Sequence, residues 1–280
     1  MPRWARIAAI MVTLFAALVV TVPAPAEAKE KKELTPAERY ELGLRQMRRG
    51  YYTKALENFN RIRNYYRDDP ISMKAELAIA DVYYKKRDFE QARLAYEDFS
   101  RLHPRHDNLD YVTFRIGMCL YQRAPKLAGR DQTATRQAVN VWAGFEARFP
   151  ESSLYPEVSK LLERGRNRLA SREFFVATYY ADKDAWLAAR RRLTGVLDRY
   201  PTTDTTPRSL ALLSEAFHQW GMVDEAQATR DRLAADHPDE TRQLAKLDKV
   251  LAKPPGTPPE EETFIRPYRM PGMGMAPGGP

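Results

Sequence analysis

One cysteine, Cys119, stands among 280 residues, which excludes an intramolecular disulfide framework and a Cys-rich zinc site. It lies in the apolar stretch RIGMCLY, where a free cysteine behaves as a small hydrophobe. Histidine is equally scarce. His103, His106, His218 and His237 are the only four, and the first two flank Pro104 with no third ligand at metal spacing. That pair reads as a turn. A Gly-rich phosphate loop, a GxSxG elbow and an HExxH helix are all missing, so no cofactor, metal or catalytic group is implied and the chain reads as a non-enzyme. The formal net charge is +8, but its arginines are scattered (Arg45, Arg61, Arg190 to Arg192) rather than blocked, so nucleic acid is not an expected partner. Alternating strand patterns are absent from Lys29 to about Leu251. With 44% hydrophobic and 29% charged residues, the composition is that of a globular protein.

Long apolar runs are also lacking, with one exception. Ile7 to Val22 is apolar, but it falls short of the roughly 20 residues that a membrane-spanning helix needs. Arg3 and Arg6 precede it and Ala26-Glu27-Ala28 follows, so residues 1–28 read as an export signal, cleaved after Ala28 or kept as an uncleaved anchor. Lys29 rather than a cysteine follows that site, which leaves no acceptor for an N-terminal lipid.

What the chain does have is a period. Ala55, Ala92, Ala138, Ala189 and Ala226 each sit in a helical stretch, and the last four are followed at +12 by Pro104, Pro150, Pro201 and Pro238. In the first repeat the proline is Pro70, and the step from Pro70 to Pro104 is about 34 residues, the length of one helical-hairpin repeat. At −12 from the alanines lie Gly43, Ala80, Ala177 and Ser214. Large residues follow the small ones at +3 (Tyr83, Tyr180, Phe217) and the alanines at +4 (Phe59, Tyr96, Trp142, Leu193). This is the tetratricopeptide pattern: small residues where two helices cross, aromatics between hairpins, and a proline that ends each unit. A single hairpin cannot bury its own apolar face, so copies stack. The expected fold is all-α, a right-handed solenoid of five helical hairpins over about 36–70, 71–104, 108–150, 156–201 and 207–238. A capping helix then closes the array at 251.

The third repeat departs from the period. Gly117 lies at −21 from Ala138 rather than −12, and the segment 123–137 reads as an extended inter-helix loop. A long helix is expected from Pro156 to about Thr178. From residue 252 the composition shifts: residues 253–280 hold eight of the 20 prolines and five of the 13 glycines, as expected of a disordered tail. Four tyrosine pairs, Tyr51-Tyr52, Tyr65-Tyr66, Tyr83-Tyr84 and Tyr179-Tyr180, lie on helices, with one member of each pair expected in the core.

Local stretches make the array more specific. HPRHDNLDYV at 103–112, LASREFFVATYYADKDAWLAARRRLTGVLDRYPTT at 169–203, and the insertion with Arg130-Asp131 near its end resemble the outer-membrane β-barrel assembly lipoprotein family BamD. The resemblance covers roughly residues 35–245. It implies a non-enzymatic subunit at the periplasmic face of the outer membrane, peripherally associated with it. The N-terminal repeats would receive the C-terminal signal of unfolded barrel proteins. The C-terminal repeats would dock on a POTRA domain of the barrel subunit, with further assembly lipoproteins as additional partners. Carried over by position, Arg192, on the helical stretch that Trp186 opens, is the leading POTRA contact, with Arg190 and Lys183 beside it. Tyr51, Tyr52, Tyr83, Tyr84 and Arg87 are the groove residues expected to meet the client signal. The missing lipidation cysteine departs from the family. It keeps open a soluble periplasmic adaptor of the Tol–Pal and cell-wall coordination type, and a secreted repeat domain that assists an enzyme supplied in trans.

Overall fold

A computed structural model describes residues 33–257. The expected export signal, and the tail from residue 258 onward, lie outside the described residues. Among the described residues there are twelve helices and no strands. The first helices of successive hairpins are α1 (Pro36–Arg48), α3 (Pro70–Lys85), α5 (Leu109–Arg123), α8 (Tyr155–Ala181) and α10 (Thr206–Gln219). Their partners are α2 (Tyr52–Tyr65), α4 (Phe89–Leu102), α6 (Thr133–Ala143) with the short α7 (Phe145–Arg148), α9 (Trp186–Arg199) and α11 (Val223–Asp236). A last helix, α12 (Thr241–Leu251), packs on α10 and α11. Each helix packs on its neighbours in sequence, which makes the molecule a helical solenoid. None of the described helices is long and apolar enough to cross a membrane.

The small residues sit where the two helices of a hairpin touch. A Cβ built on Gly43 would fall 2.6 Å from the Phe59 ring, and one on Gly117 would fall 2.2 Å from Nε1 of Trp142. Ala80 and Ala92, and likewise Ala177 and Ala189, are completely buried. In the fifth hairpin the Ser214 hydroxyl donates to the carbonyl of Ala226 at 2.6 Å, so the polar residue is satisfied at the crossing. The +4 residues Phe59, Tyr96, Trp142 and Leu193 are all at most 1% exposed and anchor three successive core clusters.

The turns between paired helices share one geometry in four of the five hairpins. A single residue in the left-handed region precedes the second helix's N-cap: Gly50, Arg87, Asp184 and Gly221, with φ of 80°, 66°, 56° and 71°. The N-cap amide then reaches back to a carbonyl near the end of the first helix, as in Tyr51 to Gln46 (2.9 Å), Asp88 to Tyr83 (3.0 Å), Ala185 to Tyr180 (2.9 Å) and Met222 to Phe217 (2.9 Å). Between hairpins, Pro104, Pro150, Pro201 and Pro238 each follow the C-cap of a second helix. The residues before them have φ between −125° and −138°, outside the α region, as a following proline requires.

The third hairpin differs from expectation at both ends of its insertion. The loop is 124–132, shorter than 123–137, because α6 begins at Thr133. Gln132 is buried and organises it: its amide donates to the carbonyls of Pro125 (3.1 Å) and Leu127 (3.0 Å), and its oxygen accepts from Thr135 (2.6 Å). The second helix also breaks at Gly144, which separates α6 from α7.

Gly117→Ala should therefore cost about 2 kcal/mol or more, because Trp142 has nowhere to retreat. Gly144→Ala, whose Cβ would meet nothing within 4 Å, should change stability far less. Thermal or denaturant unfolding of the two variants checks the contrast; equal losses would mean that the crossing is not tightly packed.

Candidate functional site

Two cavities open between the first helices of neighbouring hairpins. Toward the N-terminal end, a cavity of about 570 Å³ lies between α3 and α5, lined by Asp81, Tyr84, Lys85, Tyr111, Arg115 and Gln122, with Arg87 and Phe89 at its edge. Tyr111 and Arg115 are four apart on α5, and Asp81 and Lys85 four apart on α3, so each helix presents both members of its pair to one side.

The Arg115 guanidinium carbon stands 4.5 Å from the centre of the Tyr84 ring and 4.9 Å from that of Tyr111, stacked between helices. Its Nε is buried without a hydrogen-bond partner. Below it, Asp81 accepts from the hydroxyls of Tyr96 (2.5 Å) and Tyr111 (2.7 Å). Burial, reinforced by the Asp81 charge, pushes the Tyr111 phenol up to about 12 and raises Tyr96 as well. Both rings therefore remain neutral hydrogen-bond donors that keep Asp81 occupied. The cavity is left with three cations, Lys85, Arg87 and Arg115, around aromatic walls. It can receive a carboxylate beside an apolar or aromatic side chain.

Of the five groove residues expected from sequence, the structure brings Tyr84 and Arg87 together here. Tyr83 instead packs into the N-terminal core clusters. Tyr52 packs on the first cluster, and Tyr51, 57% exposed, stands beside Lys54 at the other hairpin. Sequence reading missed Arg115, Tyr111 and Asp81. The i, i+4 spacing of Tyr111 and Arg115 was the available signal, but nothing in it says that α3 lies opposite.

The three residues expected at a docking surface separate. Arg192 is 46% exposed in its side chain and pairs with Glu173 of α8 at 3.1 Å. Arg190 faces the next hairpin, 5.2 Å from the Trp220 ring and 5.8 Å from Phe217, and donates to the Met222 sulfur at 3.6 Å. Lys183 is exposed in the turn before α9. Residues 190 and 192 are about 200° apart around a helix, so one binds the array together while the other is presented outward.

A second cavity, about 440 Å³, lies between α8, α10 and α12, with Phe174, Leu212, Leu247 and Val250 as its apolar wall and Arg208 and Lys246 as its cations. Arg208 stacks on Phe174 at 4.6 Å. Glu215 closes one end, and burial raises its carboxyl above the ordinary range against the lowering pull of Lys253 and His218. Elsewhere, Cys119 is fully buried, and burial pushes its thiol up to about 12.

The class defined here is a tetratricopeptide scaffold with two separate grooves between its first helices. Residues 32–233 match the family YfiO, described as outer membrane lipoprotein. The chain belongs to that family, as its resemblance to BamD implied. Among curated relatives it is 30% identical over 196 residues to the outer membrane protein assembly factor BamD of Neisseria meningitidis serogroup A, covering 67% of this chain and 73% of that protein. The BamD of Pasteurella multocida is 26% identical over 253 residues, covering 87% and 96% of the two chains. That of Caulobacter vibrioides is 26% identical over 222 residues, covering 77% and 72%.

Because the folded Glu215 carboxyl holds its proton to higher pH than an unfolded one, its contribution is full below the ordinary carboxylate range and is lost as pH rises through the raised value. Glu215→Gln should thus gain stability over the parent as pH rises from about 4 to 7. Melting temperatures taken across that range check this; a difference that stays flat with pH would mean that the carboxyl is not desolvated.

Proposed function

We infer that the protein is a non-enzymatic scaffold subunit of the machinery that assembles β-barrel proteins into the outer membrane, working on its periplasmic side. Membership of the assembly-factor family supports this reading. The observation that carries its binding half is Arg115, held between Tyr84 and Tyr111 in a cationic, aromatic-walled cavity. An unfolded barrel protein that ends in an aromatic residue offers both a ring and a terminal carboxylate to such a cavity. In this reading Arg115 takes the carboxylate, with Lys85 and Arg87 adding attraction at the rim.

The docking half is placed on the C-terminal repeats, with Arg192 as the outward charge for a POTRA domain and Lys183 as its neighbour. Arg190 stabilises the junction between the fourth and fifth hairpins. In this reading membrane placement comes from the barrel subunit, from an uncleaved N-terminus or from basic surface on anionic lipid.

Two measurements test the halves separately. A peptide ending in a free aromatic carboxylate should bind the native chain, and Arg115→Ala should weaken it about tenfold, the loss of one charge-assisted contact. C-terminal amidation should act likewise, and equal affinity for the amidated or scrambled peptide would reject the carboxylate site. For docking, Arg192→Ala should weaken a POTRA fragment in titration calorimetry while changing the melting temperature little, since Glu173 keeps Arg199 at 3.9 Å as a second partner. Unchanged affinity would remove Arg192 from the interface. Capture of Tol–Pal components from detergent-solubilised envelopes, without any barrel protein, would replace the assembly reading by the adaptor one.

A further inference from the structure

The groove between α8, α10 and α12 has its Glu215 end beside the point where the chain comes back from α12. There His218, 3% exposed, donates from Nε2 to the carbonyl of Lys253 at 3.1 Å. The amide of Gly256 donates to the carbonyl of His218 at 3.1 Å. A Cβ on Gly256 would lie 2.0 Å from the carbonyl oxygen of Gln219, so this approach admits only glycine. Residues 253–256 are thus tied to the end of α10, and the ordered chain extends past residue 252, where composition alone starts the tail. Residues 258–280 follow that tie.

We propose that residues 258–265 of this tail occupy the α8/α10/α12 groove of their own chain. Reach permits it. The groove follows α10 from Arg208 to Glu215, about 10 Å at the helical rise, and an extended segment of that length spans up to about 26 Å. Chemistry favours it. Glu260, Glu261 and Glu262 meet the two groove cations, Arg208 and Lys246, and Phe264 with Ile265 match the wall of Phe174, Leu212, Leu247 and Val250. The tie also matters energetically, because a segment anchored close by in sequence is present at an effective concentration on the order of millimolar. Weak contacts then suffice to fill the groove. Any partner that uses this groove must displace the tail, so the tail sets the affinity threshold for that partner.

The test uses the full chain carrying benzoyl-phenylalanine at position 264, illuminated at low concentration, with adducts mapped by mass spectrometry. The expected adducts are intrachain and fall on α8, α10 or α12. In parallel, the double variant Phe264→Ala, Ile265→Ala should speed amide exchange in α12 at least about threefold. Both changes lie outside the solenoid, so the fold is not at stake. Gly256→Ala, which breaks the tie, should reduce the intrachain adducts severalfold. Adducts on other helices, or unchanged exchange, would overturn the proposal. So would adducts that join two chains and vanish on dilution, which would assign the groove to a second copy.

Discussion

At each crossing of paired helices, the distance between two backbones is set by what fits there. Where the first helix offers glycine, the second can lay a large ring against it: Phe59 over Gly43, and Trp142 over Gly117. Where it offers Ala80 or Ala177, a second alanine meets it, and the large +4 residues Tyr96 and Leu193 are still fully buried. The fifth hairpin commits its one polar atom at the crossing to a backbone carbonyl. The close approach is what lets a short hairpin bury a bulky side chain completely, and complete burial is where most of the stabilisation per residue arises. The functional face inherits its geometry from the same contact. Asp81 follows Ala80 directly, so the packing that seats Ala80 also aims the carboxylate at Tyr96 and Tyr111.

The turns follow a different rule. Glycine fills the left-handed position at Gly50 and Gly221, where it meets no steric penalty, but Arg87 and Asp184 fill it in the second and fourth hairpins. A non-glycine residue there costs on the order of 1 kcal/mol. That strain is held by the back-reaching amides of Asp88 and Ala185. Arg87 stands at the rim of the N-terminal cavity, and Asp184 follows the exposed Lys183. Both residues that replace glycine therefore lie on surfaces with a proposed partner, where a charged side chain has a use that glycine could not serve.

Periodic features were legible because their cause is local. Small residues and terminal prolines each act within one hairpin, so spacing alone places them; the +4 aromatics, expected between hairpins, sit at the crossing itself in Phe59 and Trp142. The insertion was visible as a broken period, but its true extent was not, since the start of α6 depends on Gln132 folding back on the carbonyls of Pro125 and Leu127. The N-terminal cavity was half legible. Tyr84 and Arg87 were among the groove residues that the resemblance implied, whereas Arg115 acquires meaning only when α3, from the preceding hairpin, supplies the facing ring. Arg192 and Arg190 were both expected at one docking surface, with Arg192 leading; helical rotation turns Arg190 toward the next hairpin instead. Composition marked the tail as unlike the solenoid, yet it has no term for the one close contact through which Gly256 stays attached to α10.

The two grooves differ in kind and lie on different hairpins. The N-terminal cavity is cationic and aromatic, with its only carboxylate already engaged by two phenols, which suits a short anionic terminus. The C-terminal groove is more apolar, and α12 forms one of its walls. Beside the C-terminal groove the carbonyl of Gly129 in the insertion accepts from Arg172 of α8 at 3.2 Å, and Phe175 packs against Gly129, so the loop is tied to α8. The two grooves have no lining residue in common, and a solenoid whose repeats touch only their neighbours has few means of coupling its ends. Under the proposed function, that separation would let the scaffold hold one partner while it receives and releases another.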